Sequence, residues 1–65
     1  MQCIYQDNTV IEALASLDKL SGTALVLIVL NERDQVVGTL TDGDIRRALL
    51  KGAQLDTPVC EVMHT

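Results

Sequence analysis

The segment "GTLTDGDIRRALLKG", Gly38 to Gly52, places hydroxyl and carboxylate groups between an apolar run and a helical pattern. The residues "QVVGTLT" predict a β-strand up to this corner, and "GDIRRALLK" predicts a helix after it, with an apolar face of Ile45, Ala48 and Leu49. Thr41 or Asp42 is positioned to cap that helix, and Gly52 stands where a left-handed residue ends it. The sequence therefore predicts a strand-to-helix corner at residues 41–44.

The residues before this corner predict three further elements. "QCIY" favours a short strand, and "DNTVIEALASLDKL" favours a helix that Thr9 and Glu12 open as a capping box and that Ser21-Gly22 ends. "TALVLIVL" shows no polar alternation, so we expect a strand that is covered on both faces. The turn "NERD", residues 31–34, joins it to the Gly38 strand as a hairpin. The predicted order is strand, helix, strand, strand, helix.

Length and composition indicate one small domain that gains stability from a partner. The chain has 65 residues, of which 48% are hydrophobic, and Tyr5 is its single aromatic residue. A domain of this size is near the lower limit for folding alone, and its core must be built from aliphatic side chains. We therefore expect association, either with a second copy or with more of the same polypeptide.

Charge and residue types argue against several classes of function. The net charge is -4 and the basic residues are dispersed except for Arg46 and Arg47, so no face for nucleic acid is expected. The longest apolar run, residues 24–30, is much shorter than the roughly 20 residues that span a bilayer. No signal peptide is visible at the start, which favours a cytoplasmic protein. We expect no membrane segment.

The sequence offers no catalytic or metal centre. Cys3 and Cys60 are far apart and lack CxxC spacing, and we expect both to be reduced and buried. His64 is the only histidine, so no Cys/His cluster has the spacing of a metal site. Because no nucleophile is paired with a base, we predict a binding or regulatory unit rather than an enzyme.

Two interpretations of the corner remain open on physical grounds. A helix start attracts an anion such as phosphate, Asp44 has two acceptors for the vicinal diol of a ribose, and Arg47 lies on the same side of the helix to contact phosphate. Helix capping alone, however, also predicts Thr, Asp and Gly here, with Asp42 as the cap. Arg46 and Arg47 then form a solvated face that pairs with nearby carboxylates.

The segment "VVGTLTDGDIRRALLKG" followed by "LDTPVCEVM" resembles the CBS domain, named for cystathionine beta-synthase. The ligand motif of that family is G-h-x-T/S-x-x-D-h, in which h is apolar, and it matches Gly38, Thr41, Asp44 and Ile45. The resemblance implies an α+β fold, a β-α-β-β-α unit whose small sheet carries two helices on one face. It assigns residues 1–54 to a single CBS unit and residues 55–65 to a linker and the start of a second repeat.

The resemblance also implies a set of nucleotide contacts. Asp44 corresponds to the residue that bonds the ribose hydroxyls, Thr41 to one that contacts ribose or phosphate, and Arg47 to a position that sometimes reaches phosphate. Gly38 completes the motif, and Ile4 marks the first strand, where the adenine bonds the backbone. Ligands of such domains are AMP, ADP, ATP and S-adenosylmethionine. No other cofactor is expected.

Pairing and an attached enzyme follow from the same resemblance. CBS units pair sheet to sheet, here with a tandem repeat or a second copy, and regulate an attached enzyme. The segment "GTLTDGDIRRALLKG" is similar to repeats found with bacterial sugar-phosphate nucleotidyltransferases and with arabinose-5-phosphate isomerases. The start at Met1 favours the nucleotidyltransferases. The alternative is a structural dimerisation module without a ligand.

Overall fold

The computed structural model describes residues 2–19 and 26–65. Its elements follow the order β1 (Gln2–Tyr5), α1 (Val10–Lys19), β2 (Val26–Leu30), β3 (Val36–Thr41), α2 (Asp42–Leu50) and a short 3-10 helix (Val59–Glu61). The predicted order of strands and helices is therefore confirmed. The predicted helix end at Ser21-Gly22 and the first part of the predicted second strand, residues 23–25, lie outside the described residues.

The three strands form one sheet in the order β1-β2-β3. β1 pairs with β2 in parallel, and a parallel pair requires a crossover connection, part of which is α1. β2 pairs with β3 in the antiparallel direction, as the predicted hairpin requires, with an irregularity between Val29 and Leu30. This register places Thr41, the last residue of β3, opposite Val26, the first residue of β2.

The core lies on one side of the sheet, between the strands and the two helices. Its buried side chains are Ile4, Val10, Ala13, Leu17, Leu27, Val29, Leu40, Ile45 and Val59. Every second residue of β2 is buried, and the buried residues of α1 form one stripe. Of the predicted apolar face of α2 only Ile45 is buried, whereas Ala48 is partly buried and Leu49 is exposed. The α+β class with two helices on one face of the sheet is confirmed.

Two expectations about burial are wrong for the single chain. In β2 only Leu27 and Val29 are buried, whereas Val26, Ile28 and Leu30 are partly exposed. The physical reason is that the described residues supply one layer of helices, which covers one face. Cys3 and Cys60 are reduced, as expected, but both are exposed rather than buried.

The hairpin turn between β2 and β3 works without glycine. Asp34 has a φ of 60°, in the left-handed region that Asp tolerates better than most residues. The Asn31 side chain stabilises the turn because its Oδ1 accepts hydrogen bonds from the backbone N–H groups of Arg33 at 2.8 Å and Gln35 at 3.0 Å. The Tyr5 hydroxyl donates to Asp34 Oδ1 at 2.7 Å, which ties the end of β1 to the turn and raises the pKa of the phenol.

The predicted capping box of α1 and the predicted stop after α2 are confirmed. The Thr9 N–H donates to Glu12 Oε1 at 2.8 Å and the Glu12 N–H donates to Thr9 Oγ1 at 3.4 Å, which closes the capping box of α1. The hydrogen bond from the Thr9 backbone is the main reason that the pKa of Glu12 is lowered. Gly52, beyond the end of α2, has a φ of 110°, a conformation that L side chains rarely adopt.

Residues 55–65 pack against the rest of the unit. Val59 has no exposed surface, and the N–H of Val10 donates to the Thr57 carbonyl at 2.9 Å. An isolated β-bridge also joins Thr39 to His64. The division of the chain at residue 54, with a second repeat after it, stays a prediction. None of the described helices has the length and apolarity needed to cross a membrane.

Candidate functional site

Thr41 joins the end of β3 to the start of α2, and it forms the N-cap of that helix. Its backbone is extended, with φ -117° and ψ 166°. The Asp44 N–H donates to Thr41 Oγ1 at 3.1 Å, while the N–H of Thr41 donates to Asp44 Oδ2 at 3.0 Å. The Thr41 hydroxyl also donates to Asp44 Oδ2, at 2.9 Å. These bonds form a complete capping box, so the hydroxyl and the carboxylate have fixed positions.

Arg47 closes the same cluster from the following turn of α2. Its Nη2 donates to Asp44 Oδ1 at 2.7 Å, so that both carboxylate oxygens of Asp44 have partners. The Asp44 side chain is only 16% exposed, whereas that of Arg47 is 66% exposed. Gly43 leaves room for this arrangement, because a Cβ at that position would lie 3.3 Å from Arg47 Nη1. We call Thr41, Asp44 and Arg47 the corner triad.

The electrostatics of the triad keep Asp44 ionised. Partial burial raises the pKa of Asp44, but the hydrogen bonds from the Thr41 backbone and hydroxyl and the ion pair with Arg47 lower it by more. The net result is a pKa below the ordinary value for an aspartate. At neutral pH the corner therefore presents a carboxylate, a hydroxyl and an exposed guanidinium, which are groups that can form charge-assisted hydrogen bonds.

The alternative that Asp42 caps α2 is wrong. Asp42 is the first helical residue, and its Oδ2 accepts a hydrogen bond from Arg46 Nη2 at 2.8 Å, one turn later. Both arginines thus pair with carboxylates of their own helix, as the capping interpretation expects. The two interpretations are compatible, because a carboxylate oxygen in a capping box has a second lone pair that can accept a further hydrogen bond.

The two other predicted site residues lie along the sheet, away from the triad. Ile4 pairs with Val29, which pairs with Gly38, so the three residues form one row across the strands. Gly38 is three residues before Thr41, about 10 Å along an extended strand. Ile4 as a whole residue is only 6% exposed, and its side chain belongs to the core.

Gly38 has a neighbour that the sequence analysis missed. A Cβ at Gly38 would lie 2.7 Å from the carbonyl oxygen of His64 and 2.9 Å from the sulfur of Met63. No local motif predicts this contact, since Gly38 and Met63 are 25 residues apart in the chain. Among the described residues, no group of three or more His, Cys, Asp and Glu side chains has a geometry that could hold a metal ion.

Comparison with solved structures decides the fold. A CBS domain protein from Pyrobaculum aerophilum, complexed with AMP, superposes with a TM-score of 0.83 over 98% of this chain, at 18% identity. The CBS fold is therefore shown for this chain. A CBS-domain containing protein from Agrobacterium tumefaciens also superposes with a TM-score of 0.83, over 97% of the chain, at 22% identity. The chain covers 49% and 47% of these two structures, about half of each.

Sequence comparison adds short partial matches. No protein-family model matches the chain. Arabinose 5-phosphate isomerase GutQ from Shigella flexneri is 50% identical over 48 residues, which are 72% of this chain and 15% of that protein. The chain spans only 10–15% of the first curated relatives that it matches.

Proposed function

We propose that this chain is a regulatory CBS unit that binds an adenosine nucleotide at the corner triad and acts as half of a paired module. The observation that carries the proposal is the cluster of Thr41, Asp44 and Arg47 within hydrogen-bonding distance at the start of α2. The AMP complex of the Pyrobaculum protein supports an adenosine nucleotide as the class of ligand.

Each group of the triad has a defined task in this proposal. The Asp44 carboxylate accepts hydrogen bonds from the two ribose hydroxyls, and the Thr41 hydroxyl bonds the ribose or the phosphate. Arg47 contacts the phosphate through charge-assisted hydrogen bonds. The adenine lies towards β1, where Ile4 contributes its backbone, and Gly38 lies on β3 in the same row across the sheet. AMP, ADP, ATP and S-adenosylmethionine all carry the adenosine group, but only the first three carry the phosphate that the Arg47 contact requires.

The ion pair between Arg47 and Asp44 makes phosphate important. A ribose can reach Asp44 Oδ1 only when the guanidinium moves away from it, because Nη2 lies 2.7 Å from that oxygen. A nucleotide provides a phosphate as the new partner of the guanidinium, whereas a nucleoside leaves the guanidinium to water. The site therefore favours nucleotides over nucleosides.

The paired module regulates an attached enzyme. The ligand shifts the relative arrangement of two CBS units only if it binds one arrangement more tightly than the other. The coverage of about half of each solved neighbour supports pairing with a second unit, from a tandem repeat or a second copy. For the enzyme, the matches to arabinose 5-phosphate isomerases support that class, and a sugar-phosphate nucleotidyltransferase stays the alternative that the sequence favoured.

Titration with AMP, followed by amide chemical shifts, tests the proposal. The amides of Thr41, Gly43 and Asp44 are expected to shift with one dissociation constant, and Asp44→Asn is expected to weaken binding while it retains an oxygen that accepts the capping bond. Glu12→Ala is the matched control, since it opens the capping box of α1 and leaves the triad unchanged. Saturable shifts that avoid the triad, or equal affinity in Asp44→Asn, would contradict the assignment.

One observation favours a second function, a pairing module without a ligand. Val26, Ile28 and Leu30 are only partly buried and form an apolar row on the face of the sheet away from the helices. A second unit packed on this row would remove it from water. Both functions predict a dimer in sedimentation. The pairing module predicts that AMP does not alter this dimer, whereas the regulatory module predicts that the dimer binds AMP.

A further inference from the structure

The C-terminal segment has one firmly held part. Val59 is fully buried in the core, and its N–H donates to the Asn8 carbonyl at 2.7 Å. The next N–H, that of Cys60, donates to the Gln6 carbonyl at 3.0 Å. Residues 59 and 60 are thus anchored on the connection between β1 and α1, on the side of the molecule that the core occupies.

The following residues, 62–64, lie along the outer edge of β3, and we call them the strap. The N–H of Thr39 donates to the His64 carbonyl at 2.9 Å, and the N–H of His64 donates to the Thr39 carbonyl at 2.8 Å. Val62 and Met63 are partly buried against the core, and His64 is exposed. Since β3 is the edge of the sheet, the strap pairs with backbone groups that β2 cannot reach.

Gly38 is the residue of β3 that the strap contacts most closely. A Cβ there would overlap the His64 carbonyl oxygen at 2.7 Å, and this oxygen belongs to the backbone and is itself held by Thr39. Gly38 does not have a positive φ, so its role is to provide space and not an unusual backbone conformation. Gly43 differs, because a Cβ there would lie 3.3 Å from the end of the exposed Arg47 side chain and 3.7 Å from Thr41 Oγ1, which is an ordinary contact.

We propose that Gly38 is a positioning residue that seats the strap, and that the strap opens and closes on β3 as a unit separate from the core. Two backbone hydrogen bonds to β3, two to the Val59 carbonyl and two partly buried side chains hold the strap, in contrast to the completely buried Val59 before it. Segments with few buried contacts and exposed hydrogen bonds open locally, without global unfolding. Thr39, which holds the strap, is two residues before Thr41 on the same strand.

A consequence for regulation follows, and this part alone rests on the proposed function. The capping box already holds Thr41 in place, and a nucleotide bound there restrains the end of β3 further. The strap pairs with Thr39, two residues before that end. Binding at the corner triad therefore favours the closed strap. The strap is then the element through which the occupied site acts on chain that follows residue 64.

Hydrogen exchange of individual amides tests the seating of the strap in the protein without ligand. In Gly38→Ala, the amides of Thr39 and His64 are expected to exchange roughly 10- to 100-fold faster, the range that an overpacked position produces. The amides of β2 are expected to keep their protection. Gly43→Ala is the matched control and is expected to leave the exchange of Thr39 and His64 unchanged. Equal acceleration of all amides, or unchanged Thr39 and His64 amides, would overturn the proposal.

A second measurement needs no variant and covers the case in which Gly38→Ala fails to fold. In the unaltered chain at low denaturant concentrations, Thr39 and His64 are expected to share one opening that is more frequent than the opening of the β2 amides. If all these amides instead open together in the global transition, the strap is not a separate unit.

Addition of AMP separates the two parts of the inference. If AMP shifts the amide of Asp44 and slows the exchange of His64, the coupling is supported. If AMP shifts Asp44 but leaves the exchange of His64 unchanged, the coupling is wrong while the nucleotide function stands. If AMP binds nowhere, the proposed function fails, and the seating on Gly38 is still decided by the exchange data from the protein without ligand.

Discussion

Replacing Arg47 with alanine should change the preference for nucleotides over nucleosides, and it should change the two affinities in opposite directions. In the unliganded structure, Arg47 occupies Asp44 Oδ1 at 2.7 Å. Adenosine must displace the guanidinium from that oxygen, and it has no phosphate with which the guanidinium can pair. AMP must displace it as well, but its phosphate then accepts the same guanidinium.

The expected magnitudes follow from the exposure of the pair. Arg47 is 66% exposed, so its ion pair with Asp44 is worth about 0.5 kcal/mol, and Arg47→Ala should tighten adenosine binding about twofold. A charge-assisted contact with phosphate is worth about 1.5 kcal/mol at such an exposed position. In Arg47→Ala, AMP loses the phosphate contact but no longer has to open the ion pair, so its affinity should fall about fivefold. The ratio of AMP affinity to adenosine affinity should fall about tenfold. Both ligands must open the same ion pair, so its energy cancels and only the phosphate contact remains.

Calorimetric titration of AMP and adenosine at one fixed salt concentration measures these four affinities. Arg46→Ala is the matched control, because Arg46 is the neighbouring residue and forms a comparable ion pair with Asp42 at 2.8 Å, outside the triad. It should leave the ratio of AMP to adenosine affinity close to that of the parent protein. Equal factors for both ligands in Arg47→Ala, or equal effects of the two arginine variants, would refute the role given to the pair.

Three further predictions concern the caps and the helix end. Thr9→Ala and Thr41→Ala should each lower the free energy of unfolding by about 1 kcal/mol in urea titrations, since each removes an N-cap, and only Thr41→Ala should weaken AMP binding. Because the pKa of Asp44 is lowered on folding, its stabilising contribution is complete above the unfolded pKa of about 4 and is lost as the pH falls through the folded value. Unfolding between pH 2 and 7 should therefore show a smaller loss of stability in acid for Asp44→Asn. Gly52→Ala should destabilise by roughly 1 kcal/mol, because a φ of 110° strains a residue with a Cβ, and an unchanged thermal midpoint would contradict this.

The local signals of the sequence were sufficient for the elements of the fold. The capping box of Thr9 and Glu12, the left-handed stop at Gly52 and the hairpin after residue 30 each depend on chemistry within a few residues. The turn itself shows the limit of such rules. The left-handed position that glycine commonly takes is occupied by Asp34, held by a hydrogen bond from Tyr5, 29 residues away in the chain.

The candidate site divides in the same way. The spacing of Thr41, Asp44 and Arg47 along one strand end and one helix turn was sufficient to bring them together. The contact of Gly38 with the strap depends on the path of a segment 25 residues later, which no local pattern encodes. The burial of β2 was overestimated because a continuous apolar run predicts two covered faces, whereas the described residues of the single chain cover one face.

Thermal unfolding with added ligands decides whether the corner triad holds an adenosine nucleotide. The parent protein and Asp44→Asn would be heated with AMP, ADP, ATP, S-adenosylmethionine and a guanosine nucleotide as the control. At about a hundred times its dissociation constant, a bound ligand adds roughly 2.7 kcal/mol, which is several degrees for so small a domain. We expect such a shift with at least one adenosine ligand, lost in Asp44→Asn and absent with guanosine. No shift with any adenosine ligand, or an equal shift in Asp44→Asn, would contradict it.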